Sequence, residues 1–197
     1  MLTQTSRILF LFFFLLPLPL SAAQQSDPVL DTIDQALEEY AAQQYSGAAD
    51  SLAYAGKLIR QQKGEALGQT LPKPQEGWTA REVISKTLGG AVFDGGLSAE
   101  RLYLRGDSSL NITILTDSPM LQSMIMLFGN SIFTTANKTL ELIHGQRAVV
   151  THEGTSGTIH IMADKLFLIT LEGNAMSRDE LLSYANQIDM ENLLQLR

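Results

Sequence analysis

The chain has 197 residues, no cysteine, and 21 acidic against 14 basic residues, for a net charge of −7. Without cysteine it forms no disulfide, offers no thiolate nucleophile or lipobox acylation site, and builds no cysteine zinc centre. The acidic balance argues against nucleic acid and anionic membrane surfaces as partners, because both need basic patches.

Residues 1–23 read as a signal peptide. Arg7 supplies a positive start, Ile8–Leu20 an apolar run broken by Pro17 and Pro19, and Ser21-Ala22-Ala23 the small residues of a cleavage site. The apolar run has 13 residues, short of the roughly 20 that span hydrocarbon as a helix. The mature chain is expected to start near Gln24, after cleavage near Ala23, and to keep no integral membrane span. About 174 residues remain, with a charge near −8 because Arg7 leaves with the leader. That length closes one good core, or one core with a small appendage.

Residues 24–71 read as a helical hairpin. Asp27 is placed to cap and Pro28 stands at the first helical position, where its missing N–H costs nothing. Val29, Ile33, Ala36, Leu37 and Tyr40 recur at three- and four-residue spacing, predicting an amphipathic helix to about Gln44. Ser46-Gly47 is expected to interrupt it, and a second run through Ala49, Leu52, Ala53, Leu58 and Ile59 reaches about Leu71. Tyr40 and the segment Tyr45–Ala49 look like half of a tetratricopeptide-type unit, but no second copy follows at that period. Residues 72–79 are a connector, since Pro72 and Pro74 forbid helix and favour extended chain. Trp78, the only tryptophan, is expected to anchor that connector to the next layer.

Residues 80–197 read as an antiparallel α+β domain. Gly89-Gly90 and Gly95-Gly96 bracket Ala91-Val92-Phe93, a short edge strand or a loop. Leu97–Arg105 and Ser109–Thr116 form a hairpin about Gly106-Asp107-Ser108, with Leu110, Ile112 and Ile114 on one face and Asn111, Thr113 and Leu115 on the other. Ser118 and Pro119 open a helix carrying Met120, Leu121, Met124, Ile125, Leu127 and Phe128, which ends at Gly129-Asn130. After a polar stretch from Asn130 to Lys138, four short apolar runs follow: Thr139–Ile143, Arg147–His152, Thr158–Met162 and Lys165–Leu171. The last is the most continuously apolar, so it is expected to be the central strand, buried on both faces. Ser177 caps a final helix with Asp179 and Glu180 in its first turn and Leu181, Leu182, Ala185 and Ile188 as its stripe. The whole predicts an antiparallel sheet of about six strands packed by helices and preceded by a helical hairpin.

Leu71-Pro72, Gly77-Trp78-Thr79-Ala80, the run Asp117–Gln122 with Met124-Ile125-Met126 and Phe128, and Leu171-Glu172-Gly173-Asn174 together resemble a family of small exported bacterial proteins of unknown function. The order of strands and helices is similar to the PsbP type of α/β/α sandwich, whose members are mostly non-catalytic accessory or assembly factors. The resemblance implies the periplasm and supplies no catalytic residue to carry over.

Several groups of side chains bear on chemistry. Met120, Met124 and Met126 could ligate copper(I), fill gaps against the sheet, or form an adaptable apolar surface for a partner. His144, His152 and His160 fall eight residues apart on successive strands, where register decides whether two share a face and hold zinc or copper. Gly154-Thr155-Ser156-Gly157 is a turn between strands, not a nucleophile elbow. The pairs Glu38-Glu39 and Asp179-Glu180 suit solubility and capping rather than acid–base work. Asn111-Ile112-Thr113 and Asn137-Lys138-Thr139 match a glycosylation pattern that has meaning only in a eukaryotic secretory pathway. The sequence therefore predicts an exported, non-catalytic interaction protein, without cofactor, acting on another envelope protein. The partner-binding candidates are Met120, Met124, Ile125, Phe128, Tyr40 and Tyr45. The alternative is a small-ligand or metal binder using the methionine helix or the strand histidines.

Overall fold

The computed structural model describes residues 26–88, 96–119, 121 and 138–197. The leader, the Ala91–Phe93 segment, the methionine helix beyond Leu121 and the polar stretch that follows it lie outside the described residues.

Among the described residues, period-two apolar runs separated by tight turns build an eight-stranded sheet in which every pairing is antiparallel. The strands are β1 (Thr79–Ala80), β2 (Ile84–Leu88), β3 (Gly96–Arg105), β4 (Ser108–Thr116), β5 (Lys138–Ile143), β6 (Gln146–Glu153), β7 (Ser156–Ala163) and β8 (Phe167–Asn174). Their order is β1-β3-β4-β8-β7-β6-β5, with β2 also paired to β3. The last apolar run is thus central, as expected, although its strand starts two residues late. Asp164 and Lys165 take positive φ values of 49° and 58° in the turn before it, a conformation that excludes them from a strand. The two strands beyond the expected six are β1 and β2, both edge pieces without strong alternation.

One face of the sheet is the main core. Register places Leu97, Ala99 and Tyr103 of β3 beside Leu110, Ile112 and Ile114 of β4, then Phe167, Ile169 and Leu171 of β8 and Ile159 and Ile161 of β7. Two short helices close it: α3 (Arg178–Ala185) and α4 (Met190–Gln195), with Leu181, Tyr184 and Leu193 buried. Ser177 and Glu180 form a capping box at the start of α3. The single final helix of the sequence reading is two helices: the first ends at its C-cap Asn186, and Asp189 starts the second. Its carboxylate accepts from Asn192 N–H to cap the second, and its own N–H donates to the Thr70 carbonyl at 3.0 Å.

The hairpin is α1 (Pro28–Ala41) and α2 (Tyr45–Gln69). Its break falls at Gln43, with φ 64°, ahead of Ser46-Gly47, which sit in the first turn of α2. Asp27 caps α1 by accepting from Val29 N–H at 2.8 Å. The C-terminal half of α2 lies against β2 and β3, where Gly64 and Gly68 permit close approach. Ser85 Oγ donates to the Gly64 carbonyl at 2.8 Å, and a Cβ on Gly68 would stand 2.7 Å from Val83 Cγ1. Lys63 pairs with Asp117 at 2.8 Å. The connector is anchored as expected: Trp78 is buried and packs edge-on against Tyr184 with centroids 5.5 Å apart, and the Arg105 guanidinium lies over the indole at 4.7 Å from its centroid. The Pro72 carbonyl accepts from the Tyr103 hydroxyl at 2.7 Å.

Candidate interaction surface

α1 packs chiefly on α2, and the seam between them is narrow. Val29 and Ala36 on α1 meet Ala48, Ser51 and Ala55 on α2, all buried. Small residues let the helices approach closely, so only one line of side chains per helix is covered. Ser51 Oγ donates to Glu39 Oε2 across the seam at 2.8 Å, and hydrogen bonds from Gln35 and Ser51 hold the Glu39 carboxyl below the usual carboxylate range.

This narrow seam revises the predicted apolar stripe of α1. Leu37 and Tyr40 are not core. With Leu30 on α1 and Tyr45, Leu52 and Ile59 on α2, they are between 48% and 65% exposed. At about 100° per residue, Leu30, Leu37 and Tyr40 fan out on one side of the Val29–Ala36 line. Tyr45, Leu52 and Ile59 recur every seven residues on the corresponding side of the Ala48–Ala55 line. In an antiparallel pair these two sides coincide, and Tyr40 and Tyr45 confirm it by meeting edge-on with centroids 5.6 Å apart. The six side chains form one exposed apolar face on the part of the hairpin that extends past the sheet. Soluble surfaces scatter such residues singly; a contiguous set marks a contact site.

Charge is divided across this face. α1 and its cap carry Asp27, Asp31, Asp34, Glu38 and Glu39 and no cation. α2 carries Lys57, Arg60 and Lys63 toward its C-terminal half. Lys57 and Arg60 make no ion pair among the described residues. They border a half-open cleft of about 360 Å³ between α2 and the β2–β3 edge, with Gln61, Ser85, Lys86 and Leu97 in its wall. Lys86 in the same wall is 3.9 Å from Glu100.

The second face of the sheet is polar in its middle. One row runs Glu100, Thr113, Thr170, His160, and the next Asn111, Glu172, Thr158, Thr151. Asn111 Oδ1 is buried without a donor among the described residues. Leu115, Met162 and Leu168 form an apolar end to this face, and Leu121 packs on it.

The three histidines go to three places. His144 sits in the β5–β6 turn and donates from Nε2 to the Asn186 carbonyl at 3.1 Å. His152 is on the core face and donates from Nε2 to the Met176 carbonyl at 3.1 Å. His160 is on the opposite face, 3.1 Å from Thr170 Oγ1, and burial lowers its pKa. Alternation along β6 and β7 therefore separates the two strand imidazoles, and no three potential ligands gather among the described residues. Of the partner-binding candidates, Tyr40 and Tyr45 are brought together, while Met120, Met124, Ile125 and Phe128 lie outside the described residues. Leu52 and Ile59, read from sequence as part of the apolar run of the second helix, are exposed as well; Leu30 is not among the sequence candidates, although the seven-residue spacing of Tyr45, Leu52 and Ile59 is a readable signal.

No helix among the described residues is long and apolar enough to cross a membrane. Comparison with family models, curated proteins and solved structures finds no match.

Proposed function

We propose that this chain is a non-catalytic accessory protein of the bacterial envelope, exported to the periplasm and working by protein–protein contact through the outer face of its helical hairpin. The observation that carries the reading is the apolar set Leu30, Leu37, Tyr40, Tyr45, Leu52 and Ile59, six large side chains exposed on one side of the hairpin, against Tyr54 alone on the other side of α2. A face of this kind gains free energy by covering, at about 25 cal/mol per Å² of apolar area removed from water. The dispersal of the described histidines over the turn and both sheet faces supports contact rather than chemistry. The acidic balance fits a protein partner rather than nucleic acid.

The test is capture from an envelope extract by the immobilised protein, compared with the double variant Leu37→Gln, Leu52→Gln. Both positions are exposed, so the variant is expected to keep its fold and lose most of the captured partner. Equal capture by the two proteins would refute the assignment of the hairpin.

A further inference from the structure

We propose that the partner of the hairpin face is a second copy of this chain, the two hairpins closing face to face into a four-helix bundle. The inference rests on the contact reading above and names its occupant.

Counted from the turn residue Gln43, Leu37 stands six residues before and Ala49 six after; Leu30 stands thirteen before and Gly56 thirteen after. Antiparallel helices with equal rise place such pairs at equal heights. All four positions also lie about 80–100° round from the buried seam, so they point out of the same side of the hairpin. α1 thus presents two leucine knobs, and α2 presents two small residues at the same heights.

A two-fold axis parallel to the hairpin sets α1 of one copy on α2 of the other. Leu37 then meets Ala49 and Leu30 meets Gly56, and the reverse contacts follow by symmetry, as an isologous interface demands. Tyr45, Leu52 and Ile59 of both copies fill the middle. Electrostatics selects the same axis. Asp27 and Asp31 come level with the partner's basic pair, Lys57 and Arg60, on α2, opposite charges at the rim. The alternative axis, perpendicular to the hairpin, stacks α1 on α1 and sets carboxylates against carboxylates. In the single chain the Arg60 guanidinium lies 3.6 Å from where a Gly56 Cβ would stand, overhanging the slot that the incoming leucine takes.

The face is about 21 Å long, from 14 residues of α1, and two helices wide, so two copies bury on the order of 1,000 Å². That is the lower limit for a specific interface, and it predicts reversible dimers in the micromolar range.

The experiment is light scattering behind size-exclusion chromatography on the purified protein, from about 1 µM to about 1 mM. The mass is expected to rise from one copy to two across this range. Gly56→Gln is the decisive variant. It raises helix propensity yet fills the slot, so dimerisation should weaken at least about tenfold while the helical circular dichroism is kept and the monomer melts no lower than wild type. Leu37→Gln should do the same, and raising the salt should weaken the wild-type dimer. A wild-type protein that stays monomeric throughout, or a Gly56→Gln protein that dimerises as tightly as wild type, overturns the proposal. A monomer whose Leu37→Gln, Leu52→Gln variant loses capture of a different envelope protein removes the second copy and leaves the contact reading standing. A monomer with unchanged capture removes both.

Discussion

Gly157 and Gly173 sit opposite each other on β7 and β8, on the core face, and together leave a depression into which Leu181 of α3 seats. A Cβ added at Gly157 would stand 2.6 Å from His152 Cδ2, 3.0 Å from Leu181 Cδ2 and 3.0 Å from the Thr151 carbonyl oxygen. None of these yields freely: the imidazole is tied to the Met176 carbonyl, Thr151 is backbone within the ladder, and Leu181 is fully buried. Overpacking of this kind costs about 1–3 kcal/mol, and restriction of the unfolded chain by alanine returns about 0.4–1 kcal/mol. Taking the middle of both ranges, about 2 less about 0.7, Gly157→Ala should lose roughly 1.3 kcal/mol, a melting point lower by about 3–5 °C for a chain of this size. Urea unfolding checks it, with the midpoint shifted and the slope unchanged. Leu181→Ala alone should cost about 2–5 kcal/mol, but the double variant should cost less than the sum by more than about 0.5 kcal/mol, because the new methyl enters the space the leucine vacates. Gly106→Ala is the control, with nothing within 4 Å and φ +55°, so it bears only a backbone cost of about 1 kcal/mol. A Gly157→Ala protein as stable as wild type, or strict additivity with Leu181→Ala, would refute the seating of α3 on the glycine pair.

The remaining predictions are read with the same unfolding assay. Burial holds the Tyr103 hydroxyl protonated well above its ordinary range, and burial also raises Tyr184; the unfolded chain gives up these protons first, so the contribution of the two tyrosines to stability is level below a pH of about 10 and is lost as pH rises further. Tyr103→Phe should flatten that alkaline loss and cost about 1 kcal/mol at neutral pH, the low end for a lost buried hydrogen bond, because Arg101 still donates to the Pro72 carbonyl at 3.3 Å. An unchanged alkaline limb would refute it. Ser177→Ala should cost about 1 kcal/mol by removing the cap of α3. The Glu180 carboxyl is held low first by the Ser177 backbone N–H and then by Arg105, so its contribution is present at neutral pH and lost as the pH falls below the usual carboxylate range; Glu180→Gln should flatten that acid limb. His160 has its pKa lowered by burial, so stability should fall as pH drops below about 6.5, and His160→Gln should remove that part of the slope.

The strands were legible because period-two alternation and the turn at Gly106-Asp107 act locally; β3, β4 and the four strands from β5 to β8 lie within three residues of their expected bounds. β1 and β2 were not, since Thr79–Leu88 alternates weakly and becomes strand only by lying on β3. In the hairpin, both helices were readable from apolar spacing and from Asp27-Pro28, but the side on which Leu37 and Tyr40 would end was not. Amphipathicity gives the width of an apolar stripe, not how much of it a neighbour covers.

The linear chain by itself determined the antiparallel α+β class, the central place of the Phe167–Leu171 run and the caps at Asp27 and Ser177, because each follows from interactions within a few residues. Tertiary structure alone decided that His152 and His160 face opposite ways, that Gly157 and Gly173 seat α3, and that half the hairpin's apolar residues stay in water. Those outcomes depend on strand register and on the close approach permitted by Ala48, Ser51 and Ala55, which join residues far apart in sequence, so that local spacing alone does not settle them.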